Sequence, residues 1–453
     1  MARRIRRREF LGMVGLGVAA GLRGVLRAAA GNDPFDKAQG RPNFVILFTD
    51  DQGYGDVGCF GSRTIRTPRL DRMAAEGTKF TSFYSQPVCG PARCALMTGC
   101  YPMRVARQTG GWSLPGEEIT VAEVLKRAGY ATCCIGKWDL SRRQYVEDRV
   151  PNAQGFESYF GTLGANDGGR VTFWQDRTKL HETADMGSLT GLYTEKAIEF
   201  IKQHAAKPFL LYLAHTMPHV RIGASEAFRG KSKAGLYADV IEEMDFHVGR
   251  VLDTLTELGL QKNTYVLFTS DNGPWLSKGK MGGSAGPLRN GKGSAWEGGF
   301  RVPCVVWAPS HVPAGRTSNE LLATLDVLPT FAALAGAKAP GGRIIDGCDQ
   351  SALITGTSDR SARETFYYHV NDNLHAVRKG KWKLALPGRK KFHGYAKDKV
   401  PVDKPQLYDL DADVGEKHDV AAQHPDVVAD LLKLAEHARE DIGDVGKVGK
   451  NAR

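Results

Sequence analysis

A chain of 453 residues, 42% hydrophobic and 25% charged, has the make-up of a globular protein rather than a disordered one, and it is long enough for one large core and a smaller partner domain. The formal charge of +11 would suit a nucleic-acid partner, but residues 1–30 hold seven Arg and one Glu; without that net +6 the body carries about +5, in no long run, so no nucleic acid is expected. No apolar run beyond the N-terminus is long enough to span a bilayer.

In chain order, Arg7-Arg8-Glu9-Phe10-Leu11 matches a twin-arginine (Tat) export signal. The apolar stretch Leu11–Leu22 follows, and Ala28-Ala29-Ala30 offers small residues to a signal peptidase. Residues 1–30 are therefore expected to be a cleaved signal for the Tat export machinery, with the mature chain periplasmic or secreted in a bacterium and without a membrane span. An uncleaved basic anchor is the alternative. The eight cysteines form no dense framework, and a protein folded before export in a reducing compartment does not depend on bridges. Residues 31–41, rich in Gly, Asp, Pro and Lys, read as a linker.

The run Asn43–Thr49 has the continuous apolar character of a strand buried on both faces. Thr67-Pro68 opens a helical pattern that stops at Gly77. A helix is expected over Ile119–Ala128, strands over Tyr130–Ile135 and Pro208–Ala214, a helix over Tyr237–Leu258 and a strand over Thr264–Thr269. Val302–Trp307 and Asp326–Ala335 continue the alternation, which predicts an α/β sandwich on a largely parallel sheet. After about residue 355 come three short strand-like segments, Thr365–Val370, Leu374–Arg378 and Trp382–Leu386, and a helix from near Asp426 to Ile442. These predict a small antiparallel sheet with one helix on it. The organisation is then a catalytic unit over 42–355 and a subdomain over 356–453. Arg389-Lys390-Lys391, after Pro387-Gly388, reads as a solvated turn.

The strongest chemical signal is Cys89-Gly90-Pro91-Ala92-Arg93, running on through Leu96-Met97-Thr98-Gly99. Pro91 fits a first helical turn, so Cys89 is expected at a helix N-terminus, where backbone N–H groups favour anions. Arg93 can hold a neighbouring anion by forked hydrogen bonds. As a bare pattern it is a structural turn more often than a site. The whole segment, however, resembles the activation signature of type I sulfatases, in the alkaline-phosphatase-like superfamily. Ala92 stands where many members have Ser.

That resemblance implies an alkaline-phosphatase-like sandwich and a Cys89 oxidised to formylglycine by a formylglycine-generating enzyme. The hydrated aldehyde carries two hydroxyls on one carbon: one attacks sulfur, and deprotonation of the other expels sulfate. It also implies a divalent cation. Asp50-Asp51 follow the first strand and Asp271-Asn272 follow Thr264–Thr269. Carboxyl ends of parallel strands meet in the crevice where α/β enzymes bind substrates. Three carboxylates, an amide oxygen and the converted Cys89 make a hard site for Ca²⁺, the usual family ion, or Mg²⁺. Either pair alone reads better as helix capping.

Lys137, in Gly136-Lys137-Trp138, and Lys292, in Gly291–Pro303, match the two family lysines that contact sulfate. His219, after Pro218, resembles the His that protonates the leaving alcohol, and His215 competes with it. Where the family has Gly-Lys-Trp-His, this chain has Asp139. Asp139 is expected either to replace the histidine as a base or to turn toward Arg142 or Arg143. Loops at Gly164–Arg170, Arg142–Arg143 and Trp275–Arg289 are expected to shape the pocket.

The reading is a sulfatase for sulfated carbohydrates or small aryl esters. A phosphoesterase or phosphonate hydrolase on the same scaffold is the alternative, and a noncatalytic sulfated-glycan binding protein is a third, kept open by Asp139. Segments such as Val377–Leu384 and Leu407–Leu410 are expected to serve packing and turns.

Overall fold

The computed structural model describes residues 40–388 and 390–453; the expected signal, nearly all of the linker, and Arg389 lie outside the described residues. Eleven strands form one sheet: β1 (Asn43–Thr49), β2 (Thr78–Tyr84), β3 (Ala131–Lys137), β4 (Ser158–Thr162), β5 (Val171–Gln175), β6 (Thr178–Thr183), β7 (Phe209–Ala214), β8 (Thr264–Ser270), β9 (Arg301–Trp307), β10 (Arg316–Ser318) and β11 (Leu322–Ala323). Their spatial order is β10-β2-β9-β8-β1-β7-β3-β4-β5-β6, with β11 also on β2. The central strands β8, β1, β7, β3 and β4 are mutually parallel.

The apolar run of β1 follows from its place in the middle. Phe44, Ile46 and Phe48 enter one core, and Val45 and Leu47 enter the other. On the first side they meet helices over Val121–Arg127 and Val327–Leu334; on the second, helices over Pro68–Glu76, Leu189–Gln203 and Leu236–Glu257. A strand covered on both faces has no solvent side on which to alternate.

One strand departs from the expected alternation. β9 runs antiparallel to both β8 and β2. Because β8 and β9 form an antiparallel pair, the segment between them, 271–300, leaves and re-enters the sheet at the same end. Asp271, Asn272 and Lys292 therefore stay together above the carboxyl end of β1 rather than being carried to the far side by a crossover. Strands β2 and β4–β6 and the helix Leu189–Gln203 lie outside the sequence assignments above. Of these, β6 is mostly exposed and polar, which removes its alternation.

The C-terminal part is a four-stranded antiparallel sheet of β12 (Thr365–Val370), β13 (Asn373–Lys379), β14 (Trp382–Ala385) and β15 (Gln406–Asp409). The helix Pro425–Asp441 lays Leu431, Ala435 and Ala438 on Leu374, Val377, Leu384 and Leu407. The segments expected to serve packing and turns do more. Lys383 is fully buried and donates to Ala295 O at 2.9 Å and Glu297 Oε1 at 3.0 Å, and its Nζ is 2.7 Å from Glu416 Oε1. Tyr84 and Tyr368 hydroxyls also donate to Glu297, and Arg378 donates to Tyr84. This buried polar network ties the small sheet to the segment that carries Lys292. All eight cysteines are unpaired. Among the described residues, no helix is long and apolar enough to cross a membrane.

Candidate active site

Cys89 begins the helix Cys89–Thr98, with Val88 as its cap, and every residue of that helix is buried. The thiol sits 3.3 Å from Asp50 Oδ1 and 3.4 Å from Lys292 Nζ. Asp50 and Asp51 leave the end of β1; Asp271 and Asn272 leave the neighbouring end of β8. Asp271 Oδ1 accepts the Asp51 backbone N–H at 3.0 Å, and Asn272 Nδ2 donates to Asp51 Oδ1 at 2.7 Å, so the two pairs brace each other.

Cations surround these carboxylates. Lys137 Nζ donates to Asp50 Oδ2 at 2.6 Å, and Lys292 Nζ reaches both oxygens of Asp51 at 2.6 and 2.8 Å. Arg93, one turn into the helix, donates to Asp271 Oδ2 at 3.0 Å, Asp50 Oδ2 at 3.3 Å, and the Lys137 carbonyl at 2.9 Å. Burial would raise the Asp50 carboxyl, but Lys137, His219, Arg93 and Lys292 more than offset it and hold it below the usual carboxylate range. Asp271 goes the other way: burial beside Asp50 and Asp51 outweighs Arg93 and pushes it up.

His219 is fixed by a residue with no motif to mark it. Asn166 Nδ2 donates to the His219 carbonyl at 2.9 Å, and its Oδ1 lies 3.1 Å from His219 Nδ1, as Val220 O does at 2.6 Å. Two acceptors around Nδ1 place the proton there and leave Nε2 facing the site. Nε2 is 3.7 Å from Asp51 Oδ2 and 3.6 Å from Asp167 Oδ1. Burial and Lys292 lower the basicity of this ring, against Asp51 and Asp50. The competing His215 is buried elsewhere: burial, then His247, pushes it down to about 3.

Asp139 is buried and turned to cations. Arg143 Nε donates to its Oδ1 at 2.9 Å, and Lys137 Nζ lies 3.2 Å from its Oδ2. Arg142 is exposed and is not its partner; Arg143 also holds Asp167. Of the expected pocket loops, 164–170 contributes Asn166 and Asp167, and 275–289 contributes Trp275, whose ring centre is 5.6 Å from that of His219. Tyr395 was not signalled by any sequence pattern; its ring and that of Trp275 flank Lys292 Nζ at 4.7 and 4.6 Å.

The donor set fits a divalent cation. Ligating atoms of Asp50, Asp51, Cys89 and His219 lie within 4.8 Å of one another. Asn272 Oδ1 is buried without a donor, and Asp271 lacks enough positive charge beside it. A hard cation would satisfy both. His219, not expected among the ligands, falls inside this group, and Asp271 and Asn272 adjoin it through their hydrogen bonds to Asp51.

A profile described as Sulfatase matches residues 42–337, and one described as the C-terminal region of aryl-sulfatase matches residues 361–452. N-acetylgalactosamine-6-sulfatase of Rattus norvegicus is 38% identical over 380 residues, covering 76% of this chain and 71% of its own. Arylsulfatase A of Homo sapiens is 35% identical over 442 residues and covers 87% of each chain. Among solved structures, a Bacteroides thetaiotaomicron protein described under metabolism of multiple glycosaminoglycans is similar with a TM-score of 0.79 at 28% identity, covering 88% of this chain and 99% of its own. Fold and site together define a hydrolase of the alkaline-phosphatase-like superfamily. The chain belongs to the type I sulfatase family within it and is a sulfuric ester hydrolase.

Proposed function

We propose that this enzyme removes sulfate from carbohydrates after Cys89 has been converted to formylglycine by a formylglycine-generating enzyme, with Ca²⁺ held by Asp50, Asp51, Asp271, Asn272 and the converted Cys89. The observation that carries it is the Cys89 side chain, buried at a helix start between Asp50 and Lys292. Such a position suits a nucleophile and an anion, and a binding protein would have no use for it. The bound cation would supply Lewis-acid stabilisation of negative charge on the reacting oxygens.

The side chains divide the rest of the work. Lys137, Lys292 and Arg93 offset charge building on the sulfate and leaving oxygens. With Nδ1–H held by Asn166 and Val220, His219 acts as general acid from its doubly protonated form: Nε2–H, beside Asp51 and Asp167, gives its proton to the departing alcohol and the ring is left neutral. Asp139 is a positioning residue, since both of its oxygens face cations. Asp139→Ala is therefore expected to lower kcat/KM by about 10- to 100-fold through misplacement of Lys137; an unchanged rate takes Asp139 out of the mechanism.

The carbohydrate reading is supported by the relatives named for N-acetylgalactosamine 6-sulfate and glycosaminoglycan metabolism. Export by the Tat machinery to the periplasm or beyond rests on Arg7-Arg8-Glu9-Phe10-Leu11. The test of activation is the mass of the peptide Phe80–Arg93 from protein made in the native host. Conversion lowers it by about 18 Da. Only unmodified Cys89, from a host that modifies a control sulfatase, would sink the proposal.

A further inference from the structure

Near the catalytic cluster lies a second cavity, of 270 Å³, which the mechanism does not use. Gln86 and Val88, just before Cys89, form one wall, and Pro91 and Trp112 another; His369 and Asp372, at the end of β12 and in the turn after it, face them. Trp112 stands between this cavity and two neighbours of the catalytic residues, Gly90 and Arg143. Its ring packs so closely on Gly90 that a Cβ there would stand 2.6 Å from Cε3, and Arg143, which holds Asp139, lies 5.4 Å over it.

Two of the walls carry polar atoms with no partner. Gln86 is 1% exposed and His369 4%, yet Gln86 Nε2 and His369 Nδ1 have no hydrogen bond. The half-buried Arg107, also on the wall, leaves Nη1 unpaired. His369 Nε2 lies 3.3 Å from Gly443 O and so takes the ring proton, which makes Nδ1 an acceptor. An unpaired buried group costs about 1–3 kcal/mol, and folded proteins leave few of them. One structural water does not fill this volume, because a water occupies about 30 Å³.

The lining identifies the occupant's chemistry. An indole face and proline edges offer apolar contact, and around them stand donors on Gln86 and Arg107 and an acceptor on His369. A sugar ring has an apolar C–H face and a rim of hydroxyls that both donate and accept. A second sulfate would need more cations than Arg107, which shares the wall with Asp372. The volume, just under the roughly 300–1,000 Å³ of drug-sized pockets, suits one ring.

We propose that this cavity is a subsite for an uncharged sugar ring linked to the sulfated one, so that the enzyme prefers sulfated oligosaccharides to sulfated monosaccharides. This rests on the carbohydrate reading above. The test compares kcat/KM on the 6-sulfates of N-acetylgalactosamine, galactose and N-acetylglucosamine with that on disaccharides carrying the same sulfated unit, for wild type, Gln86→Leu and His369→Phe. On whichever sugar is cleaved, wild type is expected to favour the disaccharide at least tenfold, and each variant to lose most of that preference. Activity on 4-nitrophenyl sulfate, which has no second ring, and the thermal midpoint monitor the fold. A preference the same in all three proteins, or absent from wild type, overturns the subsite and leaves the carbohydrate reading standing. A loss equal on mono- and disaccharide means a structural role and overturns it too. Cleavage of 4-nitrophenyl sulfate with no sugar sulfate cleaved removes the carbohydrate reading and the subsite together.

Discussion

Cys89→Ser, made where only cysteine is matured, is expected to stop steady-state sulfate release, with a loss of at least about 10⁴-fold in kcat. The expected product is a stalled protein about 80 Da heavier, bearing one sulfate on the peptide Phe80–Arg93. The side chain at 89 keeps the neighbours that the Cys89 thiol has, Asp50 and Lys292. A serine hydroxyl in this position can attack sulfur, but its carbon carries no second hydroxyl from which sulfate could be expelled. The product ester must then await attack by water at a site built to exclude it. Cys89→Ala should be equally inactive and carry no added mass. A serine variant that turns over within tenfold of wild type, without the adduct, would show that formylglycine is not the nucleophile.

Lys383→Met is expected to destabilise the fold by about 3–5 kcal/mol, although residue 383 itself makes no contact with the reacting groups. Lys383 stands between Glu297 and Glu416, all three fully buried. Removing it leaves two carboxylates with too little positive charge, and Met restores none of the hydrogen bonds. Glu297 has further support from Tyr84, Tyr368 and Arg301, so the penalty falls mainly on Glu416 and on the junction of the two sheets. Denaturant or thermal unfolding checks this, and a shift below about 1 kcal/mol would contradict it. Activity should fall as well, because the same network anchors the segment from Lys292 to Glu297.

The pH dependence of that junction gives a second reading of the same experiment. Burial would raise Glu297, but Lys383, Arg301 and Arg378 hold it below its ordinary value of 4.5. Its contribution is therefore complete above pH 4.5 and is lost as the pH falls further. Burial, with Glu297 nearby, pushes Glu416 up to about 7 in spite of Lys383. An acid raised in the folded state contributes fully below its unfolded value and loses that contribution as the pH rises from 4.5 through about 7. The cluster is thus most favourable near the crossing of the two. Glu416→Gln should flatten the decline between those pH values while leaving the decline on the acid side.

The amino-acid order by itself determined the parts of this protein whose cause is local. The run Asn43–Thr49 announced a strand covered on both faces, and Pro91 announced the helix that begins at Cys89. Asp50-Asp51 and Asp271-Asn272 were legible because each pair directly follows such a strand. The family-like segments around Cys89, Lys137, His219 and Lys292 named the cluster that the fold then assembled. Other features depended on residues far apart in the chain. The reversed direction of β9 is set by pairing with β8 and β2, and nothing in Arg301–Trp307 encodes it. Asp139 could be a base or a partner of arginine until folding brought Lys137 and Arg143 to its two oxygens. Asn166 reaches His219 across 53 residues, and Lys383 reaches Glu297 across 86. A lone Asn in a loop or a Lys in a short strand has the same local signature whether it is solvated or buried. Only the packed structure removes water from it and so fixes which partner it must have.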